Sequence, residues 1–428
     1  MSTFRSNRDG RVTAARGLLV AFALALAAGG AYAEPDLDVD AQVRARQEVS
    51  HKSFDSDAAT QCFMDLRTRL SVGAKLEHNT KIFVQLQDSR RLGGMDAFGQ
   101  DQSGALNDGH NVDVHQAYLA VDELWGDGPG LQLGRFELNL GNQRVFGAVG
   151  WHNVGRVWEG ASAVLDRDGF EARGFWLKRL ELNDPVVNRD FDIYGLNTRL
   201  KNSGAEIFVF LEKDADRMDG AVDTGIDALS RLNLGAYYGR KFEALDIILN
   251  AVYQSGKQRV TDGATFAEED LAAYLVTFEA GYALDDDGKT RLAAGIDLSS
   301  GDADPADDTC KAYDNLYYTG HKFRGFMDYF LGSGDAGLMD LMLRARTPIA
   351  HGWLLKVDLH SFSTAEDYAG TAGATKSLGT EVDVTVATKR IEGVALTAGA
   401  SAFMPSEDWR GPDADTAFWF YTMFTAGF

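Results

Sequence analysis

From residue 37 to 50 the chain reads LDVDAQVRARQEVS, with apolar and polar positions in turn. Leu37, Val39, Ala41, Val43, Ala45 and Val49 fall on one face. Asp38, Asp40, Gln42, Arg44, Arg46 and Glu48 fall on the other. A period of two belongs to a β-strand, whose successive side chains point to opposite faces. Strands of soluble proteins run to about 5–6 residues, whereas a strand crossing a bilayer obliquely needs about 9–11. The same alternation returns over 62–77, where Met64, Leu66, Leu70, Val72, Ala74 and Leu76 oppose Asp65, Arg67, Arg69, Lys75 and Glu77. It recurs over 245–254, 274–282 and 381–386.

About 18 such segments follow, starting near residues 37, 62, 80, 112, 131, 158, 170, 191, 205, 231, 245, 271, 289, 338, 353, 377, 394 and 416. The links between them alternate in length. Short ones fall at 77–80, 122–130, 166–169, 201–204, 241–244, 285–289, 347–352 and 391–394. Long polar ones fall at 88–111, 181–190, 212–230, 254–270, 299–337, 361–376 and 404–415. The pattern predicts an all-β fold, a transmembrane antiparallel β-barrel of about 18 strands, with short periplasmic turns and long extracellular loops. Backbone amides cannot go unpaired in lipid, so such a sheet must close. A barrel of this strand number is wide enough for an aqueous channel unless loops plug it. No fixed repeat period of a propeller or β-helix is present.

Both ends of the chain fit this compartment. Arg5, Arg8, Arg11 and Arg16 precede a 12-residue apolar run, Gly17 to Ala28, and Ala31-Tyr32-Ala33 makes an A-x-A cleavage site. Residues 1–33 therefore read as a secretory signal peptide and residues 34–428 as the barrel. At the other end Phe418, Phe420, Phe424 and Phe428 alternate on one face and Phe428 is last. This resembles the terminal signal that the outer-membrane assembly machinery reads; the alternative is an ordinary amphipathic last strand.

Composition narrows the function classes. The 428 residues are 45% hydrophobic, with 46 Gly, 7 Pro and 25 Phe, which excludes disorder. No apolar run near 18 residues occurs beyond the first 30, which excludes a helical membrane protein. A net charge of −21 argues against nucleic acid as a partner. There is no nucleophile-elbow, zincin or phosphate-loop motif, so no enzyme, cofactor or metal site is expected.

At residues 131–160 the sequence reads LQLGRFELNLGNQRVFGAVGWHNVGRVWEG. This resembles the alginate export family of outer-membrane barrels, whose recurrent pattern is GR-x-ELNLG-x-QR followed by Trp, Asn, Gly-Arg and an acid before Gly. It is met here by Gly134, Arg135, Glu137, Asn139, Gly141, Gln143, Arg144, Trp151, Asn153, Gly155, Arg156, Glu159 and Gly160. The segments DVHQAYL (113–119), SSGD (299–302), GHKFRGFMDYF (320–330) and LGTEVDV (378–384) also look like the family. The resemblance implies a monomeric barrel of 18 strands with a charged pore. In the family's namesake that pore is Arg-rich and passes an anionic polyuronate, while many members move other solutes.

The lumen candidates follow from strand phase. Arg44, Arg46, Arg67, Arg69, Arg135, Arg144 and Arg156 are positive candidates, with Arg173, Arg199, Arg231 and Arg344 beside them. Guanidiniums in a narrow pore attract carboxylates and pair with them bidentately. Acids alternate with them, including Glu48, Asp65, Glu137, Asp297, Glu381 and Asp383, so the plainer reading is a stiffening network of ion pairs. Leu131 and Leu133 differ in parity from Leu138 and Leu140; if all four face lipid, a bulge or kink lies near Gly134–Arg135. Arg135, Glu137, Asn139 and Gln143 then face the lumen, and 144–156 form a Gly-rich outer loop that folds inward as a plug, or else a plain rim loop. Cys62 and Cys310 both fall on the outer side of an oxidising compartment, where a disulfide between them and two free thiols are the alternatives. Three functional readings follow: passive passage of an anionic polysaccharide or sugar-like solute, a substrate-specific uptake porin, and a sheath around a periplasmic partner protein.

Overall fold

The computed structural model describes residues 36–77, 79–92, 112–183, 188–219, 222–262, 265–371 and 373–428. The expected signal peptide, 1–33, lies outside the described residues. The wall consists of β1 (Asp36–His51), β2 (Gln61–Lys75), β3 (Thr80–Leu92), β4 (Asp113–Val121), β5 (Gly130–Phe136) and β6 (Trp158–Asp166). It continues through β7 (Phe170–Asn183), β8 (Asn188–Leu200), β9 (Ala205–Asp214), β10 (Leu229–Phe242), β11 (Leu245–Asp262) and β12 (Thr265–Ala283). The last third is β13 (Arg291–Ser299), β14 (Leu338–Ile349), β15 (Trp353–Gly370), β16 (Gly373–Ile391), β17 (Val394–Pro405) and β18 (Ala417–Gly427). Each strand pairs antiparallel with the next, and β18 returns to β1 with Val49 opposite Phe420 and Val43 opposite Ala426. Closure removes both sheet edges. Among the described residues no helix is long and apolar enough to cross a membrane; the chain crosses with strands.

The period-two pattern sorts the faces as expected. Leu133, Trp176, Tyr194, Leu234, Leu341 and Leu343 are exposed on the outer surface, as are Phe418, Phe420, Phe424 and Phe428. Arg44, Arg46, Arg67, Asp65, Asn233, Asp297 and Asp383 are buried inside. The short links are turns. Three long polar segments are not plain loops: the described residues within 181–190, 254–270 and 361–376 continue the ladder, with Lys257 opposite Asp270 and Tyr368 opposite Thr375. Polar composition marks where the wall leaves lipid, not where hydrogen bonding stops.

Of the bulge or kink expected near Gly134–Arg135, the bulge is absent. The ladder runs without a register shift from Leu131 to Arg135 on β4 and from Gly130 to Phe136 on β6. What the strand has instead is a glycine kink: Gly134, at φ +129°, faces Gly160, and a Cβ on Gly134 would lie 2.3 Å from the Ala117 carbonyl oxygen. The parity break after Leu133 has another cause. The chain leaves the wall at Phe136, so Leu138 and Leu140 do not face lipid; they are buried inside the barrel.

Two loops fill the lumen. Residues 137–157 link β5 to β6, and residues 300–337 link β13 to β14. They meet at a parallel bridge between Phe146 and Tyr317. Gly147 N donates to Tyr317 O at 2.9 Å, Tyr317 N to Val145 O at 3.1 Å, and Thr319 N to Gln143 O at 3.1 Å. An apolar cluster of Phe136, Leu138, Phe146, Trp158, Leu177, Phe210 and Leu275 packs the first loop onto the wall. A second cluster, with Met327, Phe330, Phe362, Phe403 and Trp419, packs the other. Burial of about 150–250 Å² per aromatic side chain makes such clusters the main adhesive of the plug.

Candidate functional site: the plugged lumen

The arginine row predicted on β1 and β2 is present and holds the first loop. Arg44 and Arg67 are Cα partners across the two strands. Arg44 donates to Gly150 O at 2.7 Å, and Arg67 donates to Gln42 Oε1 at 2.9 Å and to Gly150 O at 3.2 Å. Arg46 pairs with Glu48 at 2.7 Å and lies 4.2 Å from the Trp151 ring centre. Arg69 reaches Gln87 at 2.6 Å and Glu137 at 3.2 Å, beside His115 at 2.9 Å. Burial works against a charge on Glu137, but His115 and Arg69 outweigh it and hold the carboxyl below the ordinary carboxylate range.

The remaining candidates divide. Asn139 Oδ1 accepts from Ala148 N at 2.8 Å, and Gln143 Oε1 accepts from Thr319 Oγ1 at 3.1 Å, so both shape the plug. Arg144 donates twice to Asp297 Oδ2, at 3.1 and 2.6 Å. Arg156 donates to carbonyl oxygens of Gly147, Tyr317 and Tyr318. Arg135 does not line the pore. It shares the parity of Leu131 and Leu133, points outward, and pairs with Glu159 at 2.7 Å. Cys62, on β2, and Cys310, beside β12, are free thiols on well-separated strands, so the disulfide is not formed.

Sequence reasoning placed Asp297, Glu381 and Asp383 in the lumen but did not see that they anchor the second loop. Arg324 donates to Asp297 Oδ1 at 3.3 Å. Glu381 accepts from Met327 N at 2.8 Å, and Asp383 from Phe326 N at 3.3 Å. His321 stacks on Trp151, with ring centres 4.2 Å apart, and joins the two loops. The signal for these lay in GHKFRGFMDYF and LGTEVDV, which carry both halves of the contact.

Cavities remain on both sides of the plug. Near the periplasmic strand ends, a cavity of about 590 Å³ is bounded by Arg346, Lys356, Thr385 and Thr397 and by the carboxylates Glu279 and Asp358, with Gly150, Trp151 and Lys322 of the plug above it. Lys322 and Arg346 donate to the carbonyl oxygens of Asn142 and Gly288, at 2.9 Å each, and Lys322 also lies 5.3 Å from the Phe323 ring centre. Burial, then the nearby Arg344, pushes the Lys322 ammonium below its ordinary value. Toward the outer strand ends, a cavity of about 320 Å³ is lined by Arg156, Trp158, Arg179, Arg231, Asp314 and Tyr317. Arg231 is neutralised by Glu212 and Asp314 at 2.7 and 2.8 Å. Among the described residues Arg179 meets the Tyr317 hydroxyl, at 3.3 Å, and the faces of Phe191 and Tyr317.

A closed barrel of 18 strands, apolar outside and plugged by its own loops, defines a porin-type channel of the outer membrane. The chain belongs to the alginate export family, whose model matches residues 36–335. Among solved structures it is similar to OccK8 (OprE) of Pseudomonas aeruginosa, at 12% identity and a TM-score of 0.59, covering 92% of this chain and 98% of that one. It is similar also to OccK2 (OpdF) of the same organism, solved in complex with glucuronate, at 11% identity and a TM-score of 0.58, covering 92% and 96%. A BenF-like porin from Pseudomonas fluorescens matches at 12% identity and a TM-score of 0.58, covering 92% and 98%. At these identities the likeness concerns the fold. No curated protein sequence matches the chain.

Proposed function

We propose that this barrel passes an anionic polysaccharide or a related acidic solute by passive diffusion. The observation that carries this reading is the distribution of cations without carboxylate partners. Lys322, Arg346 and Lys356 border the periplasmic cavity, and Arg156 and Arg179 border the outer one; none of the five has a carboxylate in contact among the described residues. Unpaired cations on both sides of a constriction draw in anions and leave them several weak stations, which is what conduction requires. Membership of the alginate export family supports a uronate as the charged unit.

The second reading, an uptake porin for a small solute, is favoured by size. A cavity of about 590 Å³ under a packed plug suits one or two sugar-sized units better than a polymer in transit. The glucuronate bound by OccK2 is a small acid of this kind. The sheath reading has little support, since the chain's own loops occupy the space a partner protein would need. We also assign residues 1–33 to a cleaved export signal, Phe418, Phe420, Phe424 and Phe428 to recognition by the assembly machinery, and the monomer to the working state.

Single-channel recording of the refolded protein tests the main reading. Oligo-uronates added to either side are expected to interrupt the current, and the neutral oligosaccharide of the same length is not. Equal block by both, or by neither, sinks the assignment to acidic solutes.

A further inference from the structure

The tip of the first loop is fastened in an uncommon way. Five consecutive backbone carbonyls, from Gly150 to Val154, each accept a hydrogen bond from a side chain of the wall. Gly150 O and His152 O both accept from Arg44 and Arg67, at 2.7–3.3 Å. Trp151 O accepts from Arg46 at 2.5 Å, Asn153 O from Ser89 at 2.9 Å, and Val154 O from Gln87 at 2.8 Å. The wall thus grips a row of five successive carbonyl oxygens.

Two of the arginines in this row lack a counter-charge. Arg46 has Glu48 and Asp65, and Arg69 has Glu137. Among the described residues, Arg44 and Arg67 face each other with no carboxylate in contact, and the buried Nε of each has no partner. Adjacent like charges repel, and hydrogen bonds to an ionised acceptor are roughly twice as strong as those to a neutral one. The carbonyls of Gly150 and His152 take the donors that a bridging carboxylate would take, and they neutralise nothing.

We propose that residues 150–154 are a built-in stand-in for the transported anion. A carboxylate of a uronate-type solute binds the Arg44–Arg67 pair in place of these carbonyls, and the released tip opens the passage. This rests on the reading of the channel as a conduit for acidic solutes. A solute in the periplasmic cavity meets the tip first, because Gly150 and Trp151 line that cavity while Arg44 and Arg67 are buried behind them. The tip has glycines at 147, 150 and 155 to bend on, and Gly155 already sits at φ +85°. Its base stays anchored where Phe146 meets Tyr317.

The test places a nitroxide on a His152→Cys chain carrying Cys62→Ser and Cys310→Ser, reconstituted in lipid vesicles. A tri-uronate is expected to convert the immobile spectrum to a mobile one, and the neutral trisaccharide is not. Arg44→Gln with Arg67→Gln is expected to give the mobile spectrum without ligand. Should that pair fail to fold, the titration of the parent chain still decides. A label that stays immobile at uronate concentrations that interrupt the single-channel current overturns the stand-in and leaves the acidic-solute channel intact. A label mobile before any anion is added also overturns it. No effect of uronate on either label or current overturns both readings.

Discussion

Arg144 and Asp297 form a buried ion pair in which two guanidinium nitrogens converge on one carboxylate oxygen, at 3.1 and 2.6 Å. The other oxygen receives Arg324 at 3.3 Å. Arg144 belongs to the first inward loop and Arg324 to the second, so one wall carboxylate on β13 fastens both halves of the plug.

Replacing Asp297 by Asn therefore leaves two buried guanidiniums facing a neutral amide. Breaking a buried pair from one side costs about 3–5 kcal/mol. The wall does not depend on this contact, so the loss is expected in the plug. Single-channel conductance of Asp297→Asn rises and becomes noisy, while the folded barrel still migrates faster than the heated form on a denaturing gel. A quiet channel of unchanged conductance contradicts the role given to Asp297.

Phe146 sits at the centre of the first apolar cluster, fully buried, with Trp158, Phe175, Phe210 and Tyr317 rings 5.1–5.6 Å away. Phe146→Ala removes this contact at a cost of about 3–5 kcal/mol. Protease added from outside is expected to cut the 137–157 loop in the variant and to leave it whole in the parent.

Gly134 cannot carry a side chain. Its φ of +129° is a region that β-branched residues avoid, and the Cβ would strike the Ala117 carbonyl oxygen at 2.3 Å. Gly134→Val is expected to block closure between β4 and β6, read as loss of the fast-migrating folded band. Gly174→Ala, in open space on β7, is the control that keeps it.

The strands were legible in the sequence because their chemistry is local. A one-residue slip would turn Val43 inward and Arg44 into lipid, so the alternation alone fixes face and approximate ends. The hairpin of β11 and β12 was not legible as strand, because beyond lipid the ladder is held by pairs such as Lys257–Glu268, at 2.9 Å, that look like loop residues. The fate of Arg135 turned on whether the chain bulged or left the wall, and Leu138 and Leu140 are apolar in either case. The Arg44–Arg67 grip was beyond sequence reasoning for a different reason. Its acceptors are backbone carbonyls at Gly150 and His152, which carry no side-chain signature and lie far along the chain.

Charge at the periplasmic cavity is open to direct alteration. Arg346→Gln with Lys356→Gln removes two cations that have no carboxylate in contact, and is expected to lower anion preference without altering the fold. Raising the pH should act in the same direction. Lys322 is held below the ordinary lysine value by burial and then by Arg344, so as pH climbs its charge is lost before that of an exposed lysine. Selectivity that is the same at pH 7 and pH 10 would contradict this.

The reversal potential of the parent channel under a salt gradient probes the account most directly. With unpaired lysines and arginines on both sides of the plug, the current is expected to reverse at the potential of an anion-selective pore, despite the net charge of −21 on the whole chain. Reversal on the cation side would mean that the lumen carboxylates, not the arginines and lysines, govern passage, and the reading of this barrel as a conduit for acidic solutes would fall.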